Sequence, residues 1–437
     1  MNRKAIVASA TIITAAACAL LLSLSSCGRR ASREASPHLI YWSANNQYEV
    51  DLAKGLTAEW NALHPEIPVV HQPVPESQST EEAVLAAVVG KTTPDVFSNM
   101  WPGDVEAYAR AGQLVALDTF PDFAETIGAR VDSLLLEEAR SADGHIYQIP
   151  WKSNPVMVIY NVKMLAEAGF QRFPATYSEY LQAASRVTRD TDGDGHTDRW
   201  MGITDIRALW WQRFFDFYPL YIAATAGRTL LEHGTVSFDN QEAVEVFAFL
   251  RTLFANGFFP KERMVGRSDV FLQGIVASRF TGPWEIRHAE KFKPEGFVYD
   301  FAPMPRPEHA QGPVYTYGDM KNIVIFKNTR FRRQAWEFAK FLVSREADLK
   351  LLELTDQLPL RKGLVEDSLY TSYFARNPFM LRFAAQARFV RGTDTSPVLK
   401  EVFDIVSHEF EACVVYGAKT PERAIADAAQ QARIILE

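Results

Sequence analysis

A chain of 437 residues, 47% hydrophobic and 23% charged, is globular rather than disordered and long enough for two ordinary lobes with substantial cores. Its formal net charge of −7 gives no reason to expect nucleic acid as a partner. Aromatic residues reach 12%, and several of the 9 tryptophans stand at segment ends rather than inside apolar periodic stretches.

Met1-Asn2-Arg3-Lys4 is a short basic segment, and residues 5–24 that follow are apolar, which is the order of a secretory signal. About 20 apolar residues can also span a membrane, so length alone does not exclude an anchor helix. The local chemistry decides. Leu24-Ser25-Ser26-Cys27 places small residues before a cysteine and resembles a bacterial lipobox. Residues 1–26 are therefore expected to be a lipoprotein signal peptide, with Cys27 as the acylated N-terminus. Gly28 after it is not the aspartate that signals inner-membrane retention. Cys18 leaves with the signal and Cys27 carries lipid, so Cys413 stands alone, without an intramolecular disulfide, as a small buried hydrophobe.

Residues 27–37 are polar and basic and read as a flexible tether. Leu39-Ile40-Tyr41-Trp42 predicts a first strand, and Leu52, Leu56, Trp60 and Leu63 recur at helical spacing. His64-Pro65 stops that helix, and 67–74 is a second strand interrupted by prolines. Ser79-Thr80-Glu81-Glu82 is a capping box opening a helix through Val89, ended by Gly90. Pro94-Asp95-Val96-Phe97 starts a third strand, and 104–111 is a short helix. This alternation predicts a parallel sheet covered by helices.

A second unit begins near Trp151. Met157-Val158-Ile159-Tyr160 is strand-like, 163–168 a short helix, and Thr176-Tyr177-Ser178-Glu179 a second capping box. Asp239-Asn240 caps an amphipathic helix through Val244, Phe247, Leu250 and Phe254. Strands are expected at 274–282, 297–302 and 322–326, followed by a mostly helical region that ends in a helix capped at Thr420-Pro421-Glu422.

The motifs, in this order, resemble the extracellular solute-binding proteins of carbohydrate ABC importers, the family of maltose- and multiple-sugar-binding proteins. The likeness is carried by the lipobox, Ile40-Tyr41-Trp42, Pro94-Asp95-Val96, Tyr147-Gln148-Ile149-Pro150 before a strand ending in Tyr160-Asn161, and Gly282-Pro283-Trp284-Glu285-Ile286. Asn322-Ile323-Val324-Ile325, Ala335-Trp336-Glu337-Phe338 and Phe341-Leu342 continue it. The resemblance implies an α/β, two-lobed, periplasmic-binding-protein-like (type II) fold. Each lobe would be a mixed or parallel sheet flanked by helices, with the ligand cleft between them. The N-terminal lobe would take residues 38–150 plus about 281–325, and the C-terminal lobe about 151–280 plus 326–437. It also implies a monomer that delivers a carbohydrate to ABC transporter permease subunits and touches the membrane through a lipid anchor only, in the periplasm or at the cell surface.

A sugar offers hydroxyls that need donors and acceptors, and C–H faces that pack flat on aromatic rings. The expected ligand residues are therefore Trp42 and Asn46, Trp101, Trp151 and Asn154, Trp211, Trp284 with Glu285, Tyr317 with Asp319, and Arg361. Trp284 is the foremost platform, because the family places an aromatic there. Trp60, Trp200 and Trp336 fit core positions. Relatives often carry consecutive glycines where this chain has Tyr317-Gly318-Asp319, so ligand size does not carry over from the family.

Asp190, Asp192, Asp194 and Asp198 occupy the first, third, fifth and ninth positions of an EF-hand-like loop, with Gly195 sixth and His196 seventh. The twelfth position is Met201, so the usual bidentate carboxylate is absent. The loop is a candidate structural Ca²⁺ site, or else an acidic solvated turn; no cofactor is otherwise required.

Enzyme function is not expected. Gly90-Lys91-Thr92 has Leu85 where a phosphate loop needs its first glycine, and no H-E-x-x-H, G-x-S-x-G or G-x-G-x-x-G occurs. A receptor for a glycerol phosphoester or other anion would need convergent cations, for which Lys152, Arg213 and Arg361 are available. A surface sensor or adhesin is the alternative outside transport.

Overall fold

The structure is a computed structural model that describes residues 37–437 except 78, 233 and 265–268. The signal sequence, Cys18, Cys27 and most of the tether lie outside the described residues. Among those described, no helix is long and apolar enough to cross a membrane.

Local rules account for the first elements. The Asn46 side chain accepts from the Glu49 amide and caps the helix Gln47–Leu63. Leu52, Leu56 and Trp60 of that helix are buried, whereas Leu63 faces out. Ser79 caps Thr80–Gly90 by accepting from the Glu82 amide, and Lys91, at φ 54°, closes the helix in the left-handed conformation.

The first sheet has six strands in the order Leu358–Pro359, Gln148–Ser153, Lys321–Ile325, Val96–Met100, Leu39–Ser43, Val69–Pro73. The three early strands run parallel, as their helical crossovers require. Lys321–Ile325 arrives from elsewhere and lies antiparallel between Val96–Met100 and Gln148–Ser153, so the sheet is mixed. Successive side chains of a strand face opposite ways. Leu39, Tyr41, Val96, Ile149, Ile323 and Ile325 therefore pack into one core, and Trp42, Phe97 and Val324 into the core on the other face.

The second sheet orders Tyr299–Ala302, Met157–Asn161, Val276–Thr281 and Trp200–Ile203. Met157 and Ile159 face Phe271, Tyr299 and Phe301; Val158 and Tyr160 face a large helical core that includes Tyr218, Phe247, Phe403 and Phe410. Cys413 is buried in that core, where desolvation pushes its thiol up to about 11.

Sheet membership cuts across the expected lobe boundaries. Tyr299–Ala302, within the expected return segment, belongs to the second sheet. The helix Arg332–Leu342 packs on the first, because its apolar face meets aromatic partners there. Trp336 stacks on Phe120 at 4.8 Å and donates to Asp122 at 2.7 Å, and Phe338 meets Tyr41 edge-on at 5.1 Å. The chain passes between the sheets at residues 154–156, returns between 302 and 321, and leaves the first sheet again after Leu358–Pro359, which follows the helix Arg345–Thr355. That helix buries Leu351 in the first core and Leu352 in the core of the second sheet.

Candidate functional site

The strand Val96–Met100 ends at Trp101, which precedes the helix Pro102–Arg110. The indole folds over Gly103, where a Cβ would stand 2.3 Å from the ring, so any side chain there would displace the indole. From the second lobe, the tight turn Trp210–Phe214 carries an aromatic cluster across to it. Trp101 lies 5.1 Å from Trp210 and 5.5 Å from Phe214 between ring centres, tilted by 47° and 79°. Tyr317 comes from a third element, the short strand Thr316–Tyr317 that pairs in parallel with Val390–Arg391. Its hydroxyl accepts from Trp101 Nε1 at 3.3 Å. Between these elements is a cavity of about 200 Å³, lined also by Ser79, Glu81, Trp211, Phe215, Asp319 and Lys321.

The charges around it are paired. Lys321 Nζ lies 3.6 Å from Asp319 and 4.0 Å from Glu81. Burial opposes its ammonium, but Asp319 and Glu81 outweigh that and hold its pKa above the ordinary lysine value. Lys400, on the helix Leu399–Phe410, pairs with Asp104 at 2.7 Å and places its ammonium 5.6 Å from the Trp101 ring centre and 5.4 Å from that of Trp210. Burial raises the pKa of Asp104, with Lys400 opposing the shift. Every lysine at the cavity thus has a carboxylate partner. Aromatic faces beside donors and acceptors, without an unpaired cation, suit a neutral polar ligand with apolar C–H faces.

Of the residues singled out from sequence, Trp101, Trp211, Tyr317 and Asp319 line this cavity. Trp284 does not; its indole folds over Gly282 and meets Phe215, a lining residue, edge-on at 6.0 Å. Glu285 is buried and ion-paired with Arg279. Trp42 is a core residue that donates to Gln72 at 3.2 Å, and Asn46 is spent on its helix cap. Trp151 is buried in the first core. Asn154 donates to Gln357 at 3.1 Å, and Gln357 donates to Glu49 at 3.0 Å beside Lys152, whose Nζ is 2.6 Å from Glu49.

The cations expected for an anionic ligand are likewise engaged. Arg213 is fully buried against Asp216 at 3.0 Å, with its guanidinium 3.6 Å from the Phe410 ring centre. Arg361 binds Asp348 at 2.6 Å, and Arg130 reaches the same carboxylate at 2.9 Å. Sequence reasoning missed Ser79, Glu81, Phe214, Phe215 and Lys321 as lining residues. Trp210 was visible beside Trp211 in the dense group Trp210-Trp211-Gln212-Arg213, and Ser79 and Glu81 were legible only as a helix start.

The acidic loop is exposed, and carboxylate oxygens of Asp190, Asp192 and Asp194 lie within 4.8 Å of one another. Loop amides also use these oxygens: Asp190 accepts from Gly193 at 2.6 Å and Gly195 at 2.8 Å, and Asp194 from His196 at 2.8 Å. Asp198 turns to Thr191, accepting from its amide at 2.7 Å and its hydroxyl at 2.6 Å. Those amide bonds hold the Asp190 carboxyl below the usual carboxylate range.

Comparison with known proteins gives a consistent picture. The family model described as bacterial extracellular solute-binding protein matches residues 55–378. The maltotriose-binding protein of Pyrococcus abyssi is 24% identical over 327 residues, covering 73% of this chain and 65% of that relative's length. Among solved structures, an uncharacterized protein of Listeria monocytogenes superposes with a TM-score of 0.78 at 24% identity, over 92% of this chain and 100% of that one. The sugar-binding protein MalE of Xanthomonas citri gives 0.76 at 19% identity, over 91% and 97%. The fold is the two-lobed, type II periplasmic-binding-protein architecture.

Proposed function

We propose that this chain, which belongs to the bacterial extracellular solute-binding proteins, captures a carbohydrate between its two lobes and delivers it to the permease of an ABC transporter. The family is extracellular, so the protein is exported, and its members are binding proteins rather than enzymes. The observation that carries the carbohydrate reading is the cavity itself. Trp210, Trp211 and Phe215 supply ring faces, backed by the buried Trp101, Phe214 and Tyr317, and Ser79, Glu81, Asp319 and Lys321 supply hydrogen-bonding groups. The maltotriose-binding relative supports the same ligand class. A phosphoester ligand is disfavoured, because Lys152, Arg213 and Arg361 are already held by Glu49, Asp216 and Asp348.

A thermal-shift panel of sugars, polyols and glycerol phosphoesters tests this. A ligand present at about 100 times its Kd stabilises the folded state by about 2.7 kcal/mol and raises Tm. Sugars are expected to shift Tm and phosphoesters to leave it unchanged; the reverse pattern would overturn the reading.

Two subsidiary elements belong to the proposal. Cys27 carries the lipid anchor, so Cys27→Ala should release the protein from the membrane fraction, and retention with no acyl group on the wild type would refute it. The 190–198 loop is a structural Ca²⁺ site, supported by the proximity of Asp190, Asp192 and Asp194. Ca²⁺ should then raise Tm over chelator and Asp192→Ala should abolish the difference, whereas equal melting in both would leave an acidic turn. The binding function itself needs no cofactor, and a monomer suffices.

A further inference from the structure

One charge pair joins the two lobes beside the cavity. Asp104 stands on the helix Pro102–Arg110, whose Val105 and Tyr108 pack on the first sheet with Trp42 and Phe97. Lys400 stands on the helix Leu399–Phe410, whose Val402 and Phe403 share the large helical core with Val158 and Tyr160 of the second sheet. The two side chains meet at 2.7 Å and are mostly buried there, 11% exposed for Asp104 and 29% for Lys400. Among the described residues, neither has another ion-pair partner, although Asp404 stands one turn along from Lys400 on its own helix. Within the first lobe Asp104 faces Glu81, a like charge, and Lys321, which already lies between Asp319 and Glu81. The Lys400 ammonium also rests against one ring from each lobe, Trp101 at 5.6 Å and Trp210 at 5.4 Å from the ring centres. Both indoles line the cavity, and Lys400 does not. Trp101, a first-lobe residue, is 3% exposed and packed against the second-lobe rings Trp210 and Phe214. Lys400 therefore holds a carboxylate and a ring of the opposite lobe in an arrangement that exists only while the lobes meet.

We infer that Lys400 is a positioning residue for ligand binding: it clamps the lobes together and so sets the affinity and release rate of the sugar without touching it. The clamp rests on the carbohydrate reading for the identity of the ligand only. A contact made solely in the form with the lobes together raises the population of that form. Removing it lowers the population, and the apparent Kd rises in proportion.

The test compares the full chain with Lys400→Met, which removes the charge and keeps the stem, and with Lys400→Arg, which keeps the charge. Spin labels on Ala86→Cys and Glu401→Cys, exposed positions on a first-lobe and a second-lobe helix, report the distance between the lobes. Without sugar, wild type and Lys400→Arg should share one distance distribution, and Lys400→Met should add a longer population. In calorimetric titration with glucose, maltotriose and N-acetylglucosamine, Lys400→Met should bind roughly 3- to 30-fold more weakly than wild type. Most of that loss should lie in faster release, and Lys400→Arg should restore it. A Lys400→Met protein with the wild-type distance distribution would overturn the clamp, even if its Tm falls, since a merely structural role moves Tm alone. Equal sugar affinity and release rate in Lys400→Met and wild type would overturn it as well. A longer population in Lys400→Met, with no sugar in the panel bound by wild type, would support the clamp and overturn the carbohydrate reading instead.

Discussion

Replacing Trp211 with alanine separates a ligand platform from a packing residue. Trp211 lines the cavity, is 39% exposed, and joins none of the hydrophobic clusters among the described residues. If a large aromatic side chain presents roughly 250 Å², its exposed 39% is about 100 Å². Full coverage by a sugar face at about 25 cal/mol/Å² is worth about 2.5 kcal/mol, and half coverage about 1.2 kcal/mol. Affinity should therefore fall roughly 8- to 70-fold in calorimetric titration with a sugar that shifts the wild-type Tm. Folding should barely change. A surface substitution stays within about 0.5 kcal/mol, or about 1–2 °C of Tm for a protein this large. Trp101→Ala provides the contrast, since that indole is 3% exposed and its loss should cost about 3–5 kcal/mol of stability. A Trp211→Ala protein that binds within about twofold of wild type, or that melts as early as Trp101→Ala, would refute the reasoning.

Asp348→Ala should destabilise the fold by about 3–5 kcal/mol in denaturant titration, because it strands the buried Arg130 and the mostly buried Arg361 without their shared counter-ion. Trp284→Ala should cost about 0.5–1.5 kcal/mol of stability, the worth of its edge-on contact with Phe215, and leave sugar affinity within about twofold, because the indole does not line the cavity; a loss of about tenfold or more in affinity would place Trp284 at the ligand. Burial, with Lys54 adding to it, lowers His71 from its ordinary 6.5 to about 4, so its neutral form is favoured by folding. The depressed folded value means that this stability is fully present above pH 6.5 and is lost as pH falls toward about 4. His71→Gln, with Tm followed from pH 7 to 4, should flatten that decline, and an unaltered slope would show that His71 does not contribute.

Much of the secondary structure was legible because its causes are local. Ser79, Thr176, Asn240 and Thr420 each cap the helix expected after them, since a cap needs only a side-chain oxygen and an amide three residues on. Strand faces followed from alternation, which puts Tyr41 and Trp42 in different cores. The candidate site was only partly legible. An aromatic at a segment end looks alike whether it is Trp151, sealed in a core, or Trp211, left at a cavity.

What the sequence by itself determined is the order of strands and caps, the family resemblance, and the supply of aromatic and polar residues. The tertiary structure decided which of them meet. Trp101, Trp210 and Tyr317 are far apart in the chain and converge because Lys321–Ile325 returns to the first sheet, which brings Tyr317 between the lobes. Charge was decided partly the same way: Arg361 and Lys152 each found a carboxylate, Asp348 and Glu49, only once its partner element was packed beside it, whereas Arg213 pairs locally with Asp216 at i,i+3. Burying a charge is tolerable only with such a partner, and partnership across many residues is a property of packing that no local pattern encodes.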